Sequence, residues 1–358
     1  MGSVDPRTPA DEDTVLAAPR LHQFAEQVLA KSGLPHPDAD LLARHLVWAD
    51  LRGISWLGVS KIPQYVERLR AGGVSTGAPP TVVRRRGGVL LVDGHDGFGQ
   101  VVGHRAMTLV AEAAAEAGIA AAAVRNTTSA GALGYYASLA ADRRLIGLAI
   151  NNSQPLQAAP GGTEKVVGNQ AFAIASPASR HPPLLLDMAT SAVSLARVHG
   201  HQLRGEPLPD GVALTAGGTP TVDPVAALTG LLLPMAGHRG FGLALIWEIL
   251  TGVLAGGPFS AGVSGPDVVD RPQGVSLFLL ALDPTIALPY RDFVARVDEL
   301  VDRMHGSARA PGVDRITVPG ERRDEIRRRR EAAGIPIPAG TLAALSQLGE
   351  ELGLAVGP

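Results

Sequence analysis

Glycine and proline interrupt this chain so often that long regular elements are hard to sustain through its middle. They fill 71 of its 358 positions, as 43 glycines and 28 prolines, where average usage is roughly 12%. A chain punctuated this way turns often, which excludes a helical bundle. The ends keep a longer rhythm. Leu21, Phe24, Ala25, Val28 and Leu29 recur at i, i+3, i+4, i+7 and i+8, one face of a helix, and Gly33 stops it. Pro37 starts a second helix with Asp38 and Asp40 in its first turn, where the helix dipole favours negative charge. It carries Leu41, Leu42, His45 and Leu46 and ends near Gly53. A third helix holds Ile62, Tyr65, Val66 and Leu69, up to Gly72-Gly73. Residues 291–305, 321–333 and 339–353 also read as helices.

Strands fill the space between. TVVRRR and VLLVDG, split by Gly87-Gly88, form a hairpin pattern. A helix from about Val101 to Ala117 follows, then strand IAAAAV, a short helix from about Ala132 to Ala141, and strands LIGLAIN, FAIAS and LLLDM. Asp187-Met-Ala-Thr-Ser leads into another helix, with Thr190 or Ser191 as its cap. Residues 201–238 read mostly as loop, 239–254 as a long amphipathic helix, and VSLFLLAL near 275–282 as a strand. The class is α/β, with helices at both ends and a sheet between them.

Hydrophobic residues at 46% exclude disorder as the main state. The absence of Cys removes a disulfide scaffold, a thiolate metal site and a cysteine nucleophile. A net charge of −2 argues against a general electrostatic grip on nucleic acid. Residues 1–14 are polar and acidic, without the apolar stretch of a signal peptide, and read as a loose tail. No apolar run approaches the ~18 residues that span a bilayer, so a cytoplasmic protein is expected. Of 32 basic residues only Lys31, Lys61 and Lys165 are lysines. Codon bias accounts for that, yet it makes a lysine at a site position stand out.

Several familiar sites are missing. Gly94-His-Asp-Gly-Phe-Gly and Gly237-His-Arg-Gly-Phe-Gly lack the G-x-G-x-x-G spacing, and no phosphate loop occurs. His199-Gly-His201 has no third ligand, so no metal is expected. Two places suit an anion: the start of the helix after Asp187, and Arg239-Gly240 at the start of the helix that follows.

Seven segments, taken together, carry a resemblance. They are ADLRGISWLGVSKIPQYVERLRAG (49–72), DGHDGFGQVVGHRAM (93–107), NTTSAGALGYYASLA (126–140), NNSQPLQAAPGGTEKVVGNQAFAIASP (151–177), LDMATS (186–191), LLPMAGHRGFGLALIWEILTGVLAG (232–256) and VPGERR (318–323). The chain resembles the type 2 malate/L-lactate dehydrogenase family, which takes in ureidoglycolate and sulfolactate dehydrogenases, diketogulonate reductase and piperideine-carboxylate reductases. The resemblance implies a non-Rossmann NAD(P)-binding fold, with a central mixed sheet and a helical part built from both chain ends. On that basis we divide the chain into a tail (1–14), an N-terminal helical segment (15–75), a central cofactor and substrate domain (76–284), and a C-terminal helical segment packing with the N-terminal one (285–358). The resemblance also implies a homodimer with its active site near the interface, a small-molecule substrate, and NAD(P)H as cofactor. Arginine-rich loops put NADPH ahead of NADH. By position, cofactor contacts fall to Ser153, Asp187, Met188, Ala189, Thr190, Ser191, His238, Arg239, Gly320 and Glu321.

The departures from the family pattern carry the functional reading. The family usually has Ser-His-Gly where this chain has Trp56-Leu57-Gly58, and a second His where this chain has Ser129. Lys61 stands where an Arg suited to a substrate carboxylate is usual. Reduction of a ketone makes an alkoxide and needs a positioned acid, worth on the order of 10²–10⁴-fold. Reduction of an iminium ion gives a neutral amine directly, and a conjugated C=C also tolerates a missing acid. The losses therefore favour a C=N (cyclic imine or 2-imino acid) or conjugated substrate, bounded by Trp56 and Leu57, in a biosynthetic setting. Lys61, Ser129 and Tyr135 are the candidate proton donors, with the substrate also against Lys61; Tyr135 has core packing as its plain alternative. Two other readings stay open. One is a 2-oxo acid dehydrogenase with Lys61 or Ser129 as substitute acid. The other is a repurposed, non-redox protein.

Overall fold

The computed structural model describes residues 13–355, so the expected tail lies outside the described residues except for its last two positions. Thr14 is not loose: it opens strand β1 (Thr14–Leu16), which pairs antiparallel with β11 (Ile335–Ile337). Neither strand was expected. Three residues each, with Pro336 in one, are too short to show a period of two. Pairing with each other is what makes them strands.

Helices α1 (Ala18–Lys31), α2 (His36–Leu51) and α3 (Ile62–Arg70) follow, with two short 3₁₀ turns at Ser55–Leu57 and Val59–Lys61 before α3. The anticipated face of α1 is the buried one: Leu21, Phe24, Ala25, Val28 and Leu29. It packs against Leu42 and Leu46 of α2, Ile62 and Val66 of α3, and Leu345 and Leu348 of the last helix. One core therefore joins the two chain ends.

The central elements are β2 (Thr81–Arg86), β3 (Val89–Gly97), α4 (Gly99–Ala117), β4 (Ile119–Thr127), α5 (Gly134–Ala141), β5 (Ile146–Asn151), β6 (Phe172–Ser176) and β7 (Leu184–Met188). Next come α6 (Leu195–Arg204), β8 (Ala213–Leu214), α7 (Pro224–Thr229), β9 (Leu231–Leu232), α8 (His238–Glu248) and β10 (Val275–Leu282). α9 (Tyr290–His305), α10 (Glu321–Ala333) and α11 (Ala339–Glu351) complete the chain. The main sheet has seven strands in the order β2-β3-β4-β10-β5-β6-β7. Only β3 and β4 run parallel; the other pairs are antiparallel. This mixed sheet, with helical layers from both chain ends, is not a doubly wound dinucleotide fold. β4, beside the central β10, carries four consecutive alanines, Ala120 to Ala123, and those small side chains let α4 and α5 settle closely on the sheet through Val110 and Tyr136.

Three expectations are corrected. The helix after Asp187 starts only at Leu195, capped by Ser194, whose side chain accepts from the Arg197 N–H. Thr190 cannot cap it, because the Thr190 hydroxyl donates to the Asn169 carbonyl, and Ser191 donates to Val193 O. The stretch 201–238 is less of a loop than expected: α6 runs into it, and it holds α7 and the small β8–β9 sheet. The long helix at 239–254 is α8 continued by a π-helical turn at Ile249–Val253.

Candidate active site

Asp187 sits at the end of β7, where four parts of the chain converge. Its Oδ2 accepts the Gly134 N–H at 2.9 Å, so the first turn of α5 points a backbone dipole at the carboxylate. The tip of Trp48 lies against the same glycine. Arg323, in the first turn of α10, faces Asp187 and donates to the carbonyls of Arg52 and Gly53 at 3.1 and 3.0 Å. Its guanidinium lies 5.8 Å from the ring centre of Trp56. An arginine so early in a helix runs against the helix dipole, and that misfit was the available signal for a residue the family segment ended on.

Crowding by protein pushes the Asp187 carboxyl up to about 6, against the Gly134 N–H and Arg323, which pull it down. Its open side faces solvent, which works against that lift; upward is the direction the crowding sets. Gly320 holds α10 close by: it has φ +97°, and a side chain there would run into the backbone of Leu185, whose N–H donates to Pro319 O. The Glu321 carboxylate is engaged locally, by His305 at 2.7 Å and the Val318 N–H at 3.0 Å.

From Asp187 the chain runs through Met188 and Ala189, both half-buried, to Thr190, fully buried. Thr190 N–H donates to Asn169 O, and Ser153 Oγ donates to Asn169 Oδ1 at 3.2 Å, so Ser153 and Thr190 share one anchor. Thr190 O accepts from Met235 N, and Ser191 bridges Pro234, which brings the start of α8 beside this segment. There His238 and Arg239 are exposed. In the first turn of α8 the Gly240 N–H already donates to Met235 O and the Phe241 N–H to Gly237 O, which leaves the N–H groups of His238 and Arg239 ahead of the first helical bonds. Free N–H groups beside an arginine suit the phosphates of a dinucleotide.

Among the residues expected on the substrate side, Leu57 packs on Ala49, Ile54 and Ala132 beside Trp48, and Trp56 is 42% exposed. Gly58 is required next to them, because a Cβ would collide with the buried Asp50 carboxylate, which also accepts the Val59 N–H. The half-buried Lys61 donates to Gln64 Oε1 at 3.3 Å, and Gln64 Nε2 donates to Pro266 O. Ser129 N–H donates to Gln273 Oε1 at 2.9 Å. One loop, 266–273, therefore borders both Lys61 and Ser129. The buried Arg68 guanidinium fastens that loop through the carbonyls of Pro266, Val268 and Arg271.

Tyr135 is placed differently. It is 3% exposed, its hydroxyl pairs with His104 Nδ1 at 2.9 Å, and its ring packs edge-on to His45 and Trp48. Burial pushes it up to about 12. Below the site lies His45, whose Nε2 accepts the Ala132 N–H at 2.9 Å. Burial, reinforced by His104, holds His45 down to about 3, so it stays neutral and acts as a fixed acceptor. It was legible only as one more inward position on α2, next to Leu42 and Leu46.

Comparison with known proteins bears on the family and the fold. The family model described as malate/L-lactate dehydrogenase matches residues 16–346. A malate dehydrogenase of Pyrococcus abyssi is 36% identical over 357 residues, covering 97% of this chain and 95% of its own. The solved malate dehydrogenase from Pyrococcus horikoshii superposes with a TM-score of 0.90 at 32% identity, over 98% of each chain. A delta1-piperideine-2-carboxylate reductase from Pseudomonas syringae gives a TM-score of 0.85 at 29% identity, over 94% of this chain and 99% of that one.

Proposed function

Since this chain belongs to the malate/L-lactate dehydrogenase family, and is thus an NAD(P)-dependent oxidoreductase, we propose that it uses NADPH to reduce the C=N bond of a small cyclic imine or 2-imino acid. One observation carries the reading: around Ala132–Gly134, Leu57 and Ser129 contribute no imidazole, the buried His45 is held neutral as acceptor of the Ala132 N–H, and the carboxylate of Asp187 accepts the Gly134 N–H. A bound nicotinamide would supply the hydride. Ser153, the 188–191 segment and the exposed start of α8 at His238-Arg239 would hold the cofactor, its phosphates against the α8 N–H groups.

The protein's own part is electrostatic. Above pH ~6 Asp187 is a carboxylate, which favours a cationic iminium at the same place. Hydride addition to that cation yields a neutral amine, so no acid is needed on the reacting atom. A ketone in the same position would need a proton, and an ionised Asp187 has none to give. Lys61 suits the substrate carboxylate, and Trp56 with Leu57 supplies an apolar wall. The delta1-piperideine-2-carboxylate reductase with the same fold supports an imine substrate on this scaffold.

A second copy of the chain is the expected partner. α8 and the turn after it present Leu245, Ile246, Ile249, Val253 and Leu254, each 44–55% exposed and on one stripe. That stripe lies on the helix that opens with the proposed cofactor cradle at His238-Arg239. The test is a panel of cyclic imino acids and 2-oxo acids with NADPH and NADH, from pH 5 to 9. Imine turnover that rises through pH ~6 and prefers NADPH is expected. Turnover of 2-oxo acids alone would overturn the reading in favour of a substitute acid such as Lys61 or Ser129.

A further inference from the structure

We propose that α1 and α2 together hold a divalent transition-metal ion of the zinc class, through His22, Glu26, Asp40 and His36. Each helix carries an imidazole and a carboxylate four residues apart, His22 with Glu26 and His36 with Asp40, so each pair lies on one helix face. The pairs cross between the helices. His22 Nε2 is 3.1 Å from Asp40 Oδ1, and His36 Nδ1 is 3.5 Å from Glu26 Oε1. One donor atom from each of His22, Glu26 and Asp40 lies within 4.8 Å of the others. A tetrahedral ion with bonds of ~2.0–2.2 Å sets its ligands roughly 3.4 Å apart, so small side-chain rotations close the set.

The donor chemistry selects the ion. Two imidazole nitrogens and two carboxylates suit zinc and its neighbours, whereas calcium and magnesium take all-oxygen sets. The first three side chains are 27–34% exposed, while His36 is 80% exposed and would swing in last. Arg44 competes: its Nη2 donates to Asp40 Oδ2 at 2.7 Å, which leaves Oδ1 for the ion but adds a repelling charge. Asp38 is taken by Arg105 and lies outside the set. The ion would clamp α1 to α2, the helix that carries His45 and Trp48 beneath the active site. Its role is structural, with no part in hydride transfer.

Zinc titration into the EDTA-treated full-length protein tests this by calorimetry and melting. One ion per chain at a dissociation constant on the order of micromolar or below is expected, with the melting midpoint raised by several degrees and the rise reversed by EDTA. His22→Gln and Asp40→Asn should each weaken binding tenfold or more, and the surface change His36→Ala should weaken it several-fold in a protein that still folds. Arg44→Gln should tighten it several-fold, which mere ion pairing between the helices would not do. His199→Ala, in the separate His199-Gly-His201 pair, should change nothing. Absence of micromolar binding, or binding indifferent to both His22→Gln and His36→Ala, would overturn the proposal.

Discussion

On the proposed reading, the chemistry turns on the Asp187 carboxyl. Crowding raises it to about 6, so the carboxylate form is lost as pH falls through that value. If the anion favours an iminium, kcat/KM for imines falls on the acid side of pH ~6, and any keto-acid turnover moves the opposite way. Asp187→Asn should lower imine kcat/KM by on the order of 10²-fold at pH 8 and abolish the step near pH 6. NADPH affinity, measured by fluorescence, should stay within a few-fold. A uniform loss with the pH step intact would assign Asp187 a purely structural role. This role was hard to read beforehand because Asp187 falls in a stretch that matches a cofactor motif. The substitutions at Leu57 and Ser129, by contrast, were legible at once as the wrong chemistry at two positions. Tyr135 is a second candidate in the sequence, with core packing as its plain alternative. The structure favours that alternative, with the hydroxyl sealed against His104.

At the scale of elements, what was legible follows from length and period. α1, with five apolar residues on one face, and β10, eight residues of mostly apolar character, announce themselves. The β1–β11 pair does not, since each strand exists only through a partner more than 300 residues away. The helix start after β7 was misread for a related reason. Thr190 and Ser191 are good capping types, but tertiary partners consume both hydroxyls and the chain stays irregular until Ser194. The β1–β11 ladder has a measurable consequence. Ile335 and Ile337 are buried at 0% and 1% in the core that joins the chain ends. Ile337→Ala should therefore cost about 2–5 kcal/mol in reversible denaturation. A loss below ~1 kcal/mol would show that the two ends are held by the helices alone.

For the whole molecule, the proposed dimer would tie the exposed stripe on α8 to the proposed cofactor cradle. No helix among the described residues is long and apolar enough to cross a membrane, so lipid-spanning does not explain those side chains. Five apolar residues on one stripe, each roughly half exposed, are more than scattered surface hydrophobes. They share α8 and its π-helical continuation with His238-Arg239, so on the proposed reading a second copy docking here would also wall the proposed cofactor cradle. Oligomeric state and activity should then fail together. Ile246→Glu combined with Ile249→Glu places two charges in the middle of the stripe, while leaving both side chains free to face water in the separated chain. Sedimentation should shift from dimer to monomer at micromolar concentration, circular dichroism should stay unchanged, and NADPH affinity should drop at least tenfold. A folded monomer that binds NADPH at full strength would separate the two, leaving the stripe as an interface that the cofactor cradle does not need.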